Sequence, residues 1–574
     1  MTIRRWNSWG WETVSYPLPE QATHFLMDQL GGATPLPAAS LTDVLASVPE
    51  TRLEAHPLVD CSAEVRVNHS RGQSLADWLA LKSGQLGVIP DGVAMPTTSE
   101  QVAELLQWAK QHQYKIIPYG GGTSVAGHIT PQAAEQPILT LSLARLNQLI
   151  NVDKDSLLAT IGAGATGPQV EAQLQSQGYT LGHFPQSFEF STLGGWIATR
   201  SSGQQSLYYG RIEQLFAGGR VETLEGALNI PAFPASAAGP DLREWVLGSE
   251  GRIGVITEAI MRVSPCPSYE SFRVVVLPSW EQAIALLKKL VRLRLGLSML
   301  RLSDGVETDT HLQLAGHPRS INALRWYLQK RGCGQGMCML TVGFTGQQKS
   351  QYQNKIKLCK QLVAQHKGVS TGEWLGKKWA AGRFRLPYLR EALWQRGFLV
   401  DTVETAIAWS QINLLKEQLE NAVANALVDE GEKTWVFTHI SHCYPQGASL
   451  YTTFLFRQAD NYTTTYARWQ KLKQAACEAI VKVGGTISHH HGVGKDHAPY
   501  LKAEKGELGI QQIKNWLINF DPNQQLNPGT LLPNPLLPST LTPDSDQEDI
   551  SRLSQDEPTD NQLSVHHDAC QQMA

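Results

Sequence analysis

The run "TISHHHGVGKD" (486–496) sets three consecutive histidines, His489, His490 and His491, between a β-favouring stretch and a glycine turn. Imidazole titrates near neutrality, so such a cluster moves protons without a large pKa shift. Imidazole also binds metal ions. Adjacent side chains of a strand alternate faces, so a metal reading converges His489 and His491 and takes a third ligand from elsewhere, His439 or His442. A purely structural or surface role is the plain alternative. The residues favour acid/base and anion-binding chemistry, because Gly492 and Gly494 let the backbone turn tightly beneath a ligand.

Other stretches carry chemistry as well. "PYGGGTSV" (118–125) has successive glycines whose N–H groups can approach an anion. Its spacing is neither GxGxxG nor GxxxxGK[ST], so no dinucleotide or Walker fingerprint is present, and alone it reads as a tight turn. "GHFPQSFEFSTLGGWIATRSSGQQSLYYGRIEQL" (182–215) is dense in Gly, Ser, Thr and aromatic residues, which suits contacts to a polar cofactor. On the residues alone Tyr451, in the alternating "SLYTTFLF", reads as a core or cross-strand tyrosine; as a base, a phenol near pKa 10 would need cations beside it. On the residues alone Arg301 and Arg390 read as ordinary surface arginines, with forks that suit phosphate and carboxylate equally.

The elements that must position these residues follow from periodicity. "SLADWLALKSG" (74–84) reads as a short helix ending at Gly84. A strand at 87–89 leads through a Pro-bounded turn to a helix over about 100–112. Thr98 or Ser99 caps it, and Val102, Leu105, Leu106 and Ala109 are its apolar face. A strand from Lys115 to Pro118 delivers the glycine loop. "ILTLSLARL" and "LLATIGAGA" read as strands, and "TGPQVEAQLQSQG" as a helix closed by Gly178. Residues 270 to about 485 alternate strands with amphipathic helices. The stretch 490–534 reads as short elements returning to the first domain. Beyond Pro535 the chain turns Ser/Asp/Pro/Gln-rich, so 536–574 is expected to be disordered.

The 574 residues include 49 basic and 52 acidic ones, for a net charge of -3, which gives no reason to expect nucleic acid as a partner. Locally basic pockets for a small anion remain compatible. With 42% hydrophobic residues the body is globular. Eight scattered cysteines without CxxC spacing read as reduced thiols. The basic start "MTIRRWNSWGW" lacks the apolar core of a signal peptide, and no run of 18 apolar residues exists. A cytoplasmic protein is expected, with peripheral membrane contact left open.

"IPDGVAMPTTSEQVAELLQWAKQHQYKIIPYGGGTSV" resembles the FAD-binding domain of the vanillyl-alcohol oxidase / p-cresol methylhydroxylase superfamily. The 182–215 segment narrows this: it is similar to the alkyldihydroxyacetonephosphate synthase (alkylglycerone-phosphate synthase) family. "WNSWGW", "LGSEGRIGVITEA", "SMLRLSD", "YLREALW", "YPQGASLYTTF" and "SHHHGVGK" follow in that family's order, up to about residue 534.

The resemblance implies an α+β fold. Its parts are a helical N-terminal extension (1–85), a two-part PCMH-type FAD-binding domain (86–268), an α/β cap or substrate domain (269–488), a returning segment (489–534) and a tail (535–574). It implies an FAD enzyme that exchanges the acyl chain of acyl-dihydroxyacetone phosphate for a fatty alcohol through flavin N5, without net redox change. A homodimer is the family expectation.

FAD contacts would fall on Pro118, Tyr119, Gly120, Gly121, Gly122, Thr123 and Ser124. They would continue on Gln186, Ser187, Phe188, Glu189, Phe190, Ser191 and Thr192, and on Thr199, Arg200, Ser201 and Ser202. The last group is Glu250, Gly251, Arg252, Ile253, Gly254, Val255 and Ile256. With no His or Cys in the loop itself, non-covalent FAD is expected; His128 lies four residues past Ser124. The catalytic set would be Tyr451, His489, His490, His491, Arg301 and His183, with Arg390 on the substrate phosphate and no metal.

Departures from the family pattern bear on the substrate. Phe184 and Gln186 stand where carboxylates are usual, Thr438-His439 replaces Cys-Arg, and "DTVET" (401–405) is found in flavin hydroxy-acid dehydrogenases. An FAD-linked oxidase or dehydrogenase of a 2-hydroxy acid (D-lactate/glycolate type) is therefore the alternative. A flavin-binding protein without turnover is the third reading.

Overall fold

The computed structural model describes residues 3–314 and 318–533. The predicted tail lies outside the described residues.

The first sheet has four strands in the order Val59–Asp60, Gly92–Ala94, Ile138–Ser142, Lys115–Tyr119, and its last three are parallel. The strand expected at 87–89 is instead Gly92–Ala94; the earlier residues run as irregular chain before Pro90. The helix Ser99–Gln111 starts where predicted. Thr98 caps it by accepting the Gln101 N–H, and Val102, Leu105, Leu106 and Ala109 are buried beneath it. Each fully buried Leu or Val contributes roughly 1.5–3 kcal/mol.

The second sheet is antiparallel: Leu149–Asp153, Leu158–Gly162, Val255–Arg262, Phe216–Thr223, Gly226–Ile230. One core joins it to the first sheet through Leu105, Leu139, Ile161, Phe216 and Ala259.

The third sheet has seven antiparallel strands in the order Val369–Ser370, Tyr269–Leu277, Cys338–Gly346, Leu297–Ser303, Trp435–Cys443, Gly447–Arg457, Phe398–Ala408. Helices Trp280–Arg292, Lys349–Gln365, Ile412–Asn425 and Tyr462–Val483 pack into its core through Leu286, Leu362, Leu415 and Leu472. Leu450, Phe454 and Phe456 meet these helices. Period-2 alternation then leaves Tyr451 and its cross-strand partners on the opposite face.

The stretch 490–534 was expected to hold only short elements. It contains a 20-residue helix, Leu501–Phe520, kinked at Gly506, where φ is 66°. Leu517 and Leu526 enter the core of the first two sheets, and Leu526 bridges to Ile116. Lys and Glu on its exposed faces mask the helix period in the sequence. The N-terminal residues form helices Glu20–Leu30, Leu41–Ala46, Ala63–Asn68 and Leu75–Ser83. Leu26 and Leu30 pack against Phe398 and Leu455, and Trp78 belongs to the core of the third sheet.

Candidate active site

The strand Lys115–Tyr119 carries the chain into Gly120–Ser124. A Cβ on Gly121 would collide with the Phe190 carbonyl oxygen, and one on Gly120 with the Thr192 hydroxyl. Gly122 has φ 67°, a left-handed conformation that favours glycine. The glycines thus let the loop lie flush on 190–192. Among the described residues, the N–H groups of Gly121, Gly122, Thr123 and Ser124 find no protein acceptor. Thr192 Oγ1 is buried beside them, also without a partner. Unsatisfied amides around a polar hydroxyl are the donor set a pyrophosphate needs, so the residues fit the cofactor.

Other predicted contacts are already engaged. Gln186 donates to the Arg383 carbonyl (2.7 Å), and Phe188 stacks on Phe384. Glu189 accepts from Trp11 and Tyr388, Phe190 packs on Trp9 and Trp11, and Ser191 accepts from Trp196. The "WNSWGW" opening is therefore a clamp on this segment. Thr199 bonds Gly195, Ser201 meets His183 at 3.2 Å and Ser202 lies by Ser206. Arg200 and Glu250 both have φ 52°, strained for non-glycine residues.

The segment 250–256 is mostly wall. Ile253, Val255 and Ile256 are core, Arg252 reaches the Thr530 carbonyl, and Gly251 and Gly254 lie against Pro118 and Glu222. The Glu250 carboxylate accepts the N–H groups of Val493 (2.6 Å) and Gly494 (2.8 Å).

Register builds the second half of the site. Glu404, Tyr451 and His439 are cross-strand partners in one row, and Ser303 pairs with His439 beyond them. Glu404 is fully buried. Its carboxylate accepts the N–H of His489 (2.8 Å), His490 (2.9 Å) and His491 (2.8 Å), and the Ser488 hydroxyl (2.7 Å). Burial alone would raise the Glu404 pKa, but His490, His491 and His489 hold it well below the usual range. Sequence reasoning saw "DTVET" as a departure from a pattern and missed this anchor. The available signal was a lone glutamate inside an apolar strand.

The histidine run is a series of bends, not a strand, so alternation does not govern it. The adjacent pair His489 and His490 converges, with His442 third; nitrogens of all three lie within 4.8 Å of one another. This corrects the expected His489–His491 pairing. Arg211 donates to His489 Nε2 at 2.8 Å, so a cation already occupies one side of that imidazole. His491 stands edge-on to Tyr451 at 5.5 Å.

Tyr451 stacks on His439 at 4.8 Å and lies parallel to His490 at 6.1 Å. Thr402 donates to its hydroxyl at 3.1 Å. Burial pushes the phenol up to about 12. Arg301 pairs with buried Glu307 (2.7 Å) and approaches His439 Nδ1 (3.1 Å). Burial and Arg301 push His439 down to about 4. His183 stacks on Trp196, and burial pushes it down to about 3. Arg390 donates to the Gln73 carbonyl and to Asp401 (3.1 Å), while the Gln73 N–H bonds the Ser124 carbonyl, which ties the arginine to the glycine loop.

Two family models match: the FAD binding domain over residues 90–228, and the C-terminal domain of FAD linked oxidases over 266–531. The fold and its loop define an FAD-dependent flavoprotein of the two-part FAD-linked oxidase class. Within that class the chain belongs to the alkyldihydroxyacetonephosphate synthase family. It is 32% identical to the alkyldihydroxyacetonephosphate synthase of Dictyostelium discoideum over 82% of this chain and 77% of that one. A solved alkyldihydroxyacetonephosphate synthase structure, 27% identical, superposes with a TM-score of 0.79 over 92% of this chain and 98% of that chain. More distant is the glycolate oxidase subunit of Bacillus subtilis, 25% identical over 77% of this chain and 89% of that one.

Proposed function

We propose that the chain is an alkyldihydroxyacetonephosphate synthase, exchanging the acyl chain of acyl-dihydroxyacetone phosphate for a fatty alcohol. The observation that carries this reading, beside the family, is the Glu404–Tyr451–His439 row, with its phenol enclosed by imidazoles of His439, His490 and His491. FAD, when bound, would supply at flavin N5 an electrophile for the acyl-bearing carbon. Tyr451 keeps its proton at neutral pH and donates a hydrogen bond to the reacting oxygen. His490 and His491 exchange protons with the leaving carboxylate and the entering alcohol. Arg390, pre-oriented by Asp401 and Gln73, takes the phosphate by its remaining donors. Arg301 holds His439 against Tyr451 through Glu307.

The amides of Gly121–Ser124 and Thr192 Oγ1 hold the pyrophosphate. FAD is bound non-covalently in this reading, because Ser124 Oγ (2.6 Å) and Glu250 (3.1 Å) face the two nitrogens of His128. The three sheets serve as a two-part flavin unit and a substrate cap. Among the described residues no helix is long and apolar enough to cross a membrane; exposed Trp326 and Trp374 suit peripheral contact with a lipid surface.

The test is an anaerobic visible spectrum of the purified protein, mixed with acyl-dihydroxyacetone phosphate and, separately, with D-2-hydroxy acids. Loss of the oxidised-flavin bands with the acyl substrate, restored by fatty alcohol with ether formed, is expected. Full bleaching by a hydroxy acid, restored by air, would establish the dehydrogenase alternative instead. Arg390→Ala is expected to raise KM for the phosphate substrate about 100-fold, the loss of a charge-assisted pair. Unchanged kinetics would remove Arg390 from the phosphate site.

A further inference from the structure

Lys473 stands on the helix Tyr462–Val483 and is only 7% exposed. Its ammonium has one contact in the protein, the Thr402 carbonyl at 3.4 Å. Among the described residues no carboxylate oxygen lies within 4.0 Å of it. An ammonium carries three donors, and burying one without an anion beside it is costly. Two of its N–H groups are therefore left for a partner that the protein does not supply.

The place of Lys473 follows from the edge of the third sheet. Phe398–Ala408 is the last strand, so one of its sides has no neighbouring strand. At that edge Lys473 meets the Thr402 carbonyl, and the Thr486 N–H bonds the Ala406 carbonyl. The histidine loop is anchored on Glu404, the residue halfway between. Arg390 reaches the same strand one residue before Thr402. Asp401 Oδ1 accepts from Arg390 (3.1 Å) and Oδ2 from the Trp469 indole (2.7 Å). Trp469 and Lys473 are four residues apart, on one face of their helix. Thr402 also donates its hydroxyl to Tyr451 (3.1 Å). Asp401 and Thr402 thus bring a guanidinium, an ammonium and the Tyr451 phenol to one place. Asp496 supplies countercharge from further off. Burial pushes Asp496 up to about 6, and Lys473 is the main charge drawing it back down. It balances the ammonium without taking its N–H groups.

We propose that Arg390 and Lys473 are the two arms of one phosphate cradle, and that the second cation makes the site select a phosphate dianion over a carboxylate. A lone guanidinium fork suits both anions equally. An added ammonium with open donors favours the anion that carries two charges and three terminal oxygens. The identity of the substrate rests on the synthase reading above; the selection between anions does not. Lys473 is a substrate-binding residue here and takes no part in proton transfer.

The experiment is calorimetric titration of the full-length holoenzyme with dihydroxyacetone phosphate and with dihydroxyacetone sulfate, which has the same shape and one charge. It is run at about pH 8, where a phosphate monoester is a dianion. Wild type is expected to prefer the phosphate about 30-fold. Lys473→Gln is expected to lose about 100-fold in phosphate affinity, in the range for truncating one partner of a buried charge pair, and only a few-fold for the sulfate. Lys473→Arg, which keeps the charge, is expected to stay within about tenfold of wild type. Flavin absorbance and thermal melting confirm that each variant is folded. Equal affinity of the wild type for phosphate and sulfate, or no binding of the phosphate, overturns the cradle without any variant. So does a folded Lys473→Gln protein that binds the phosphate as wild type does, which would leave Lys473 a structural cation. A wild type that binds the phosphate selectively but forms no ether from the acyl substrate sinks the synthase reading alone.

Discussion

Two glycine-bearing loops face the site, and they treat their backbone amides in opposite ways. Among the described residues, Gly121–Ser124 leaves four successive N–H groups without an acceptor. The loop His489–Gly494 spends its amides on two internal carboxylates, Glu404 at His489, His490 and His491, and Glu250 at Val493 and Gly494. The first is a nest waiting for an external anion. The second is a nest already filled by the protein, which frees its side chains, not its backbone, for chemistry. The anion on the amides of the histidine loop is Glu404 of the same chain. The difference teaches that a loop's function is set by which of its groups the fold leaves unsatisfied.

The sharpest way to break this contrast is Glu404→Ala. Three buried N–H groups and a hydroxyl would lose their acceptor, costing about 3–5 kcal/mol of stability. Chemical denaturation should show it, and the ether-forming activity should vanish. A variant with wild-type stability would mean that the loop does not depend on the carboxylate.

Gly121→Ala attacks the other nest. Its Cβ has no room against the Phe190 carbonyl, so the open amides must move. FAD affinity should fall about 100-fold, roughly 2.7 kcal/mol, read by flavin titration. Glu404→Gln should by comparison stay yellow. If both lose flavin equally, the loops are not functionally separate.

Acid sharpens the comparison further, because buried neutral imidazoles cluster around the filled nest. Burial pushes His183 and His497 down to about 3, and burial with Arg301 pushes His439 to about 4, from 6.5. A base with a lowered folded pKa binds fewer protons when native. Its stability is full above about 6.5 and falls as pH drops towards the folded values. Each group removes about 1.4 kcal/mol per pH unit in that window. Glu404 and Glu307, held low, add losses below their unfolded value of 4.5. Thermal melts between pH 7 and 4 should therefore fall progressively, and a flat profile would contradict neutral burial.

The smallest effect belongs to Ser124→Ala. It removes the Oγ contacts to the His128 N–H (3.0 Å) and Nδ1 (2.6 Å), about 0.5–1.5 kcal/mol, while leaving the open amides in place. FAD affinity should change less than in Gly121→Ala.

Much of the fold was legible in the residues. Thr98 and the 3.6-residue spacing of Val102, Leu105 and Ala109 marked a helix because capping and burial are local. Alternation in "SLYTTFLF" put Tyr451 and Leu450 on different faces for the same reason. The strand at 87–89 failed because Val88 and Ile89 are apolar without being paired. The terminal helix failed because its Lys and Glu obscure the period. In the site, His489–His491, Tyr451 and the glycine loop announced themselves by type. Glu404, Arg211 and Glu307 did not, since each gains meaning only from a partner far along the chain.

The sequence by itself determined the glycine loop, most of the strands and helices, and the chemical inventory of the site, because local backbone preference and periodic burial act over a few residues. Only the tertiary structure decided which amides stay open, which carboxylate fills the histidine loop and which groups face each imidazole nitrogen. Those outcomes depend on hydrogen bonds such as Glu404 to His490, 86 residues apart, and Arg211 to His489, 278 residues apart. Donor and acceptor can choose each other only after the three sheets have brought them within reach.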